Sequence, residues 1–396
     1  MSLSQKIQDV QKILQEHQID GWLLYDFERT NPLACDFLEI PPKTMLTRRF
    51  WVWIPKKGEP VSLIHAVETH VLAHVPGKKL VYAAWKLFHA HLKELLHGKK
   101  TVAMEYSPRG NIPSASKVDG GAIDFIRELG VQVVSSASFL QYFNCVWTNE
   151  QYQLHKEAAL LLDKTAANAW HLIGDHLKQN KPLTEYDVQQ FILQEMRNGG
   201  CLMDSAPICA VNENSANPHY SPSKNKSKQI QKGDFVLIDL WCKRDVPHAV
   251  YADITRVAVA AAKGTTRHQE VFQTVRNAQK AATDYIQNQV EKKLPVKGCD
   301  VDNVARKVIE DAGFGQYFTH RTGHNIHEDV HGPGANNDGF ETQDERLLIP
   351  RTCCSIEPGI YLPGEFGVRL EHDVYIHDNH KIEITGGIED KLVALF

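Results

Sequence analysis

Four acidic residues sit inside runs that otherwise read as strand interior. Asp239 stands in "LIDLW", Asp253 in "VYADITRV", Glu357 in "SIEPGIY" and Glu371 in "GVRLEHDV". Their β-branched and aromatic neighbours predict strands. One carboxylate in such a strand is ordinarily an outward-facing charge or half of a structural ion pair. Four converging on one core would not stay ionised without cations, because burying unpaired charge is costly. Two divalent ions would balance four carboxylates. An added imidazole, His324, would complete an oxygen-rich set with one nitrogen. That set suits Mn²⁺, Co²⁺, Fe²⁺ or Zn²⁺ better than a thiolate site would. Convergence itself cannot be read from residue order.

The chain around these residues changes texture near residue 149. Before it, strand-like segments ("DGWLLYD", "RRFWVWIP", "PVSLIH", "KTVAMEY") alternate with helical periodicity in "KIQDVQKILQEH" and "WKLFHAHLKELLHG". This predicts a small α/β domain with a mixed sheet over residues 1–148. After it, a long helix is expected from Glu150 to about Gln179. Another follows in "LTEYDVQQFILQEMRNGG", where Thr184 and Asp187 form a capping box. "DFVLIDLW" and "HAVYADITRVAVA" read as strands joined by a loop holding Pro247. "TRHQEVFQTVRNAQKAATDYIQNQV" reads as a third helix. "DVDNVARKVIEDAG" reads as a fourth, with Asp300 as N-cap and Val301, Val304 and Val308 on one face. "RTCCSIEPGIYL", "GVRLEHDVYI" and "HKIEITG" read as closing antiparallel strands. Helices beside antiparallel strands make residues 149–396 an α+β domain.

Composition excludes several classes. Of the 396 residues, 42% are hydrophobic and 23% charged, an ordinary globular balance. A net charge of −4 leaves no polybasic footprint for nucleic acid or anionic lipid. No apolar run approaches the roughly 20 residues of a membrane helix. "MSLSQKIQDVQKILQEHQ" has no apolar signal core, so the expected location is the cytoplasm. The eight cysteines form no C-x-x-C pair, which argues against a zinc ribbon or dithiol redox site.

"HEDVH", His327 to His331, matches the H-E-x-x-H zinc signature. That chemistry needs a helix, so that both rings share a face. Here the motif lies between Gly323 and Gly332-Pro333-Gly334, and a residue before proline avoids the α region. An extended form of the signature would put a third histidine where Asn337 stands, and Asn is a poor zinc ligand. The motif is therefore not expected to bind zinc as a unit.

The ordered set Asp239, Asp253, His324, Glu357, Glu371 resembles that of the pita-bread metallopeptidases. The phrases "DFVLIDL", "YADITR", "HRTGHNI", "DVHGPG", "SIEPGIY" and "GVRLEHDVYI" resemble the Xaa-Pro branch, aminopeptidase P and prolidase. They span most of residues 150–396. The N-terminal region resembles that branch's non-catalytic domain more loosely. The resemblance implies a pita-bread catalytic domain and two divalent ions, Mn²⁺ foremost, with Co²⁺, Zn²⁺ or Fe²⁺ as alternatives. Asp239 would chelate one metal, Asp253 and Glu371 would bridge both, and His324 and Glu357 would complete the other shell. A bridging water acidified by two cations would attack the peptide bond before proline. Glu357 would also shuttle the proton. His331 and His219 match family histidines that contact the substrate near the scissile bond and stabilise the oxyanion. His320 matches a pocket-lining histidine. Arg369, two residues before Glu371, would pair with a carboxylate or bind the substrate's C-terminus. A peptide ending in or containing proline is the implied substrate, and a homodimer the implied assembly.

This sequence also departs from the family's pattern. His324-Asn325-Ile326-His327 stands where the family usually has H-G-I-G, so His327 replaces a glycine expected near the substrate cleft. The two aspartates are also farther apart than usual, which lengthens the hairpin "WCKRDVPH". The departure at His327 leaves open a hydrolase or lyase acting on a non-peptide small molecule. A non-enzymatic binding protein would require loss of ligands. Creatinase has this architecture without the metals, and all five ligands are retained here.

Overall fold

The computed structural model describes residues 2–396. It contains two compact units, Met1–Asn144 and Cys145–Phe396. The expected boundary lay four residues later. Cys145–Trp147 belongs to the second unit because the Trp147 amide donates to the Arg351 carbonyl at 2.7 Å and the Trp147 ring stacks on Tyr375.

The first unit is built on β1 (Gly21–Asp26), β2 (Phe50–Pro55), β3 (Val61–His65), β4 (Lys78–Tyr82), β5 (Thr101–Met104) and β6 (Gln132–Ser135). They form one mixed sheet in the order β4-β3-β2-β1-β5-β6. Helices α1 (Leu3–Glu16), α2 (Pro32–Phe37), α3 (Trp85–Leu96), α4 (Gly120–Glu128) and α5 (Ala137–Asn144) accompany it. β1 is buried at every residue, as befits the centre of a sheet with a core on each face. Strands β4 and β6 escape the sequence reading because "KKLVY" and "QVVS" are short and partly exposed.

The second unit opens with α6 (Asn149–Lys178) and α7 (Glu185–Asn198), each with a capping box; in α7 it joins Thr184 and Asp187. Next come β7 (Cys201–Leu202), β8 (Ile208–Val211), β9 (Phe235–Arg244) and β10 (Ala252–Val259), then helices α8 (Thr266–Glu291) and α9 (Gly298–Asp311). Asp300 is not the cap of α9: the helix starts two residues earlier, at Gly298. The amides of Gly298 and Cys299 donate to the carbonyls of Arg346 and Asp344, so the first turn is satisfied without a side-chain cap. The buried face of α9 is Val301, Ala305 and Ile309, with Val304 and Val308 at its flank. Strands β11 (Asn325–Ile326), β12 (Cys353–Ile356), β13 (Gly359–Leu362), β14 (Phe366–Arg369), β15 (His372–Ile376), β16 (Ile382–Thr385) and β17 (Val393–Ala394) complete the unit.

Two features of this unit position the acidic residues. The β9–β10 hairpin separates two cores. Val236, Ile238, Leu240, Ile254 and Ala258 face the core built with α6 and α7, while Phe235, Leu237, Val257 and Val259 face the core built with α8 and α9. On that second face the cross-strand pairs run Phe235–Val259, Leu237–Val257, Asp239–Thr255 and Trp241–Asp253. Halfway along, one face thus turns from apolar to polar, and both aspartates lie beyond the switch.

The second feature corrects the sequence reading. "RTCCSIEPGIYL" and "GVRLEHDVYI" are each two strands, not one. β12 pairs β15 and β13 pairs β14 in one continuous register, from Cys353–Tyr375 to Leu362–Phe366. The ladder opens only around Glu357-Pro358 and Leu370-Glu371. Pro358 has no N–H to donate. The Glu357 amide is diverted to the Thr322 carbonyl at 2.7 Å and the Glu371 amide to the Thr255 carbonyl at 3.2 Å. Both glutamates therefore stand at the mouth of the opening, where their pairing would have continued.

Candidate metal centre

The polar half of the β9–β10 face and the open hairpin line one cavity of about 570 Å³. Its walls include all five predicted ligands, together with His219, His320, His331 and Arg369. Asp253, His324 and Glu371 form its tightest group, with ligand atoms all within 4.8 Å of one another and every residue buried. Glu357 Oε1 lies 3.3 Å and Asp253 Oδ2 3.7 Å from His324 Nε2. Asp239 stands at the edge, its Oδ2 accepting from Arg369 Nη2.

Each group is held from behind. The Asp253 amide donates to Asp373 Oδ2 at 3.0 Å. Thr255 Oγ1 donates to Glu371 Oε2 at 2.7 Å. Ser355 Oγ donates to Glu357 Oε1 and accepts the His324 amide, both at 3.0 Å. Burial pushes the carboxyl groups of Asp253 and Glu371 well above the usual range, and each is pushed further by neighbouring carboxylates. Asp239 is raised by burial too, against the opposing pull of Arg369. Burial brings the His324 imidazole down to about 3, so its ring is neutral.

The residues fit a cation on their own evidence. Among the described residues, Asp253 Oδ1 and Glu371 Oε1 are buried oxygens without a hydrogen-bond partner, a costly arrangement unless something else binds them. His324 Nδ1 faces the Asn325 carbonyl at 3.2 Å. A neutral ring donating there presents the Nε2 lone pair to carboxylate oxygens. Lone pair facing lone pair is stable only with positive charge between them.

The remaining predicted residues separate. His331 is exposed on the cavity wall, its ring T-shaped against His324 at 4.3 Å. The nearby His324, then burial, bring it down to about 4. His219 is exposed on the segment after a short 3₁₀ turn, its amide donating to Asn217 Oδ1. His320 accepts from Tyr361 Oη at Nε2 (2.7 Å) when its Nδ1 donates to the Arg321 carbonyl (2.7 Å). Arg369 lines the cavity and pairs with carboxylates. Its guanidinium is taken by Asp239, by Thr255 Oγ1 at 3.0 Å and by Tyr361 Oη at 2.9 Å. His327 is not in the cavity wall, contrary to expectation. Asn325–Ile326 pairs with β12, and the loop closes where the Gly332 amide donates to the Asn325 carbonyl, carrying His327 away. No helix forms over "HEDVH", and Glu328 faces His248 at 3.1 Å instead of the cavity.

Sequence reasoning missed Arg321, Asp204, Thr255, Tyr361 and Asp373. Arg321 was visible inside "HRTGH", whereas Asp204 reaches the wall through a loop with no local signal.

A family model, metallopeptidase family M24, matches residues 153–378, which contain the whole constellation. The chain belongs to metallopeptidase family M24. Among curated M24-like relatives, the Xaa-Pro dipeptidase of Lactobacillus delbrueckii subsp. lactis is 39% identical over 165 residues, 41% of this chain and 40% of that protein. The match thus spans well under two thirds of that relative's length. The Xaa-Pro dipeptidase of Pyrococcus furiosus is 24% identical over 97% of this chain and 98% of its own. A dipeptidase structure from Mycobacterium ulcerans superposes with a TM-score of 0.69 at 21% identity, covering 99% of this chain and 98% of that one. The chain therefore has the pita-bread fold in its second unit, with an added N-terminal domain. Among the described residues, no helix is long and apolar enough to cross a membrane.

Proposed function

We propose that the protein is a metal-dependent peptidase that hydrolyses the peptide bond before proline, at the N-terminus of short peptides or in dipeptides. Supporting this reading above all are the unpartnered buried oxygens of Asp253 and Glu371, beside the Nε2 lone pair of His324. The names of the relatives point to the same substrate class. Asp239, Asp253, His324, Glu357 and Glu371 would hold two divalent ions, Mn²⁺ foremost. When bound, the ions supply the charge that acidifies water and polarises a carbonyl.

The chain's own residues then have separate tasks. Glu357, oriented by Ser355, takes the proton of the attacking water and passes it to the leaving nitrogen. His219 and His331, on the cavity wall, donate to the oxygen on which charge develops. Arg369 balances Asp239 and, through Tyr361, fixes His320. The non-peptide alternative rested on His327, and His327 does not border the cavity. A homodimer remains part of this reading, to be checked by sedimentation velocity.

The test is turnover of Xaa-Pro dipeptides and Xaa-Pro-Yaa peptides by protein loaded with Mn²⁺, Co²⁺ or Zn²⁺. Hydrolysis of at least one series is expected. No turnover of either series with any of the three ions overturns the reading.

A further inference from the structure

A second cavity, of about 560 Å³, lies wholly within the first unit. That size is ordinary for a small-molecule site. Its place in the fold is one where α/β sheets hold ligands. β1, β3 and β4 run in the same direction. Tyr25, next to the carboxyl end of β1, and His65 and Tyr82, the last residues of β3 and β4, all line the cavity. Open α/β sheets bind ligands outside the carboxyl ends of their strands.

The lining has an aromatic part and a cationic part. Tyr25 and Tyr82 are buried, whereas Phe27 and Trp85 are exposed, Trp85 at 61%. Arg48 and Arg49, the two residues before β2, bring the charge. Arg48 is anchored from behind. Its Nη1 donates to the Thr47 carbonyl at 3.0 Å and to Thr47 Oγ1 at 3.1 Å, and that hydroxyl donates to Glu68 Oε1 at 2.6 Å. The Arg49 backbone is tied to the wall, its carbonyl accepting from Tyr82 Oη at 2.6 Å. The Arg49 guanidinium sits over the Phe88 ring at 4.7 Å, and among the described residues it has no hydrogen bond or ion pair. The one carboxylate among the described lining residues, Asp119, is already occupied by the Ala122 amide at 2.8 Å and by the Tyr25 hydroxyl. Two cations beside aromatic faces are therefore left without a counter-charge from the protein.

We propose that this cavity binds a small aromatic phosphate of the nucleoside monophosphate class, its phosphate held by Arg48 and Arg49 and its base stacked on Trp85. Two neighbouring guanidinium groups match the charge and the planar geometry of a dianionic phosphate. An indole face is a platform on which any base can stack. This cavity shares no lining residue with that of the carboxylate cluster, and the proposal stands independently of the peptidase reading.

Isothermal titration of the full chain tests it, with metal removed so that phosphate has no ion to bind. The probes are adenosine 5′-monophosphate, adenosine and inorganic phosphate. The nucleotide is expected to bind with a Kd of roughly 1 mM or tighter. It should bind at least about fivefold more tightly than adenosine or phosphate, because each of those reaches only one part of the lining. Arg49→Met and Trp85→Ala should each weaken the nucleotide at least about fivefold. Both side chains are exposed, and thermal unfolding verifies each variant's fold. A Kd for the nucleotide weaker than roughly 1 mM in the wild type overturns the proposal. Adenosine or phosphate binding as tightly as the nucleotide overturns it too, since the two parts of the lining would then not act on one ligand. An unchanged nucleotide affinity in either folded variant does the same.

Discussion

At the scale of single residues, the centre depends on groups that are unstable without what they bind. Among the described residues, Asp253 and Glu371 each leave an oxygen unpartnered in the interior. Replacing either by Ala removes a predicted bridge. Turnover is expected to fall at least ~1,000-fold, and bound metal, measured by elemental analysis, should drop with it. Near-wild-type values in both variants would contradict the assignment. His155 does not border the cavity. It is fully buried, with Nδ1 at 2.7 Å from the Tyr251 carbonyl and Nε2 at 2.6 Å from Thr385 Oγ1. Burial brings it down to about 4. In the unfolded chain it would titrate near 6.5. Below pH 6.5 the unfolded state binds a proton that the folded state refuses, so stability falls as pH drops from 6.5 to 4. The loss is up to ~3 kcal/mol for this residue. Urea unfolding at pH 7.5, 6 and 5 should show a shallower acid decline in His155→Gln than in wild type. Equal slopes would remove His155 as the cause.

At the scale of elements, the site is made by interruption. The hairpin of β12–β15 and β13–β14 keeps one register and opens only at the two glutamates. The loop to His324 is fastened to that opening through Gly323. A Cβ at this glycine would lie 2.0 Å from the Ser355 carbonyl oxygen, backbone that cannot yield cheaply. Gly323→Ala is therefore expected to lower stability by roughly 2–4 kcal/mol and to weaken metal binding by displacing His324 from Glu357. Calorimetric unfolding and a metal titration would measure the two effects, and unchanged metal affinity would separate the loop from the site. The sequence placed these glutamates inside strands, whereas the ladder stops at both of them. Both segments are apolar on either side, and only Thr322 and Thr255, remote in sequence, draw the amides away. The helix boundaries of α6, α7 and α8 were legible because their signals are local. The start of α9 was not, since its cap is the backbone of residues 344–346.

For the whole molecule, folding and metal binding should be coupled. The native cavity gathers carboxylates that the unfolded chain keeps far apart, so cations bind the folded form preferentially. At a free metal concentration 1,000 times the dissociation constant, the stabilisation is about 4 kcal/mol. A scanning calorimeter should record a higher Tm with Mn²⁺ and a lower one after chelation. Identical values would argue that no ion binds the native centre.

The sequence by itself determined the family, the five candidate ligands, the strand context of Asp239 and Asp253, and the exclusion of a helical zinc motif at "HEDVH". These follow from residue type, order and spacing, which survive without coordinates. Tertiary structure alone decided which carboxylates face one another, that Arg369 is already paired, and that His327 lies outside the cavity. Each of those facts depends on where a side chain finds its partner across tens or hundreds of residues. That distance is set by register and loop closure, which no local pattern encodes.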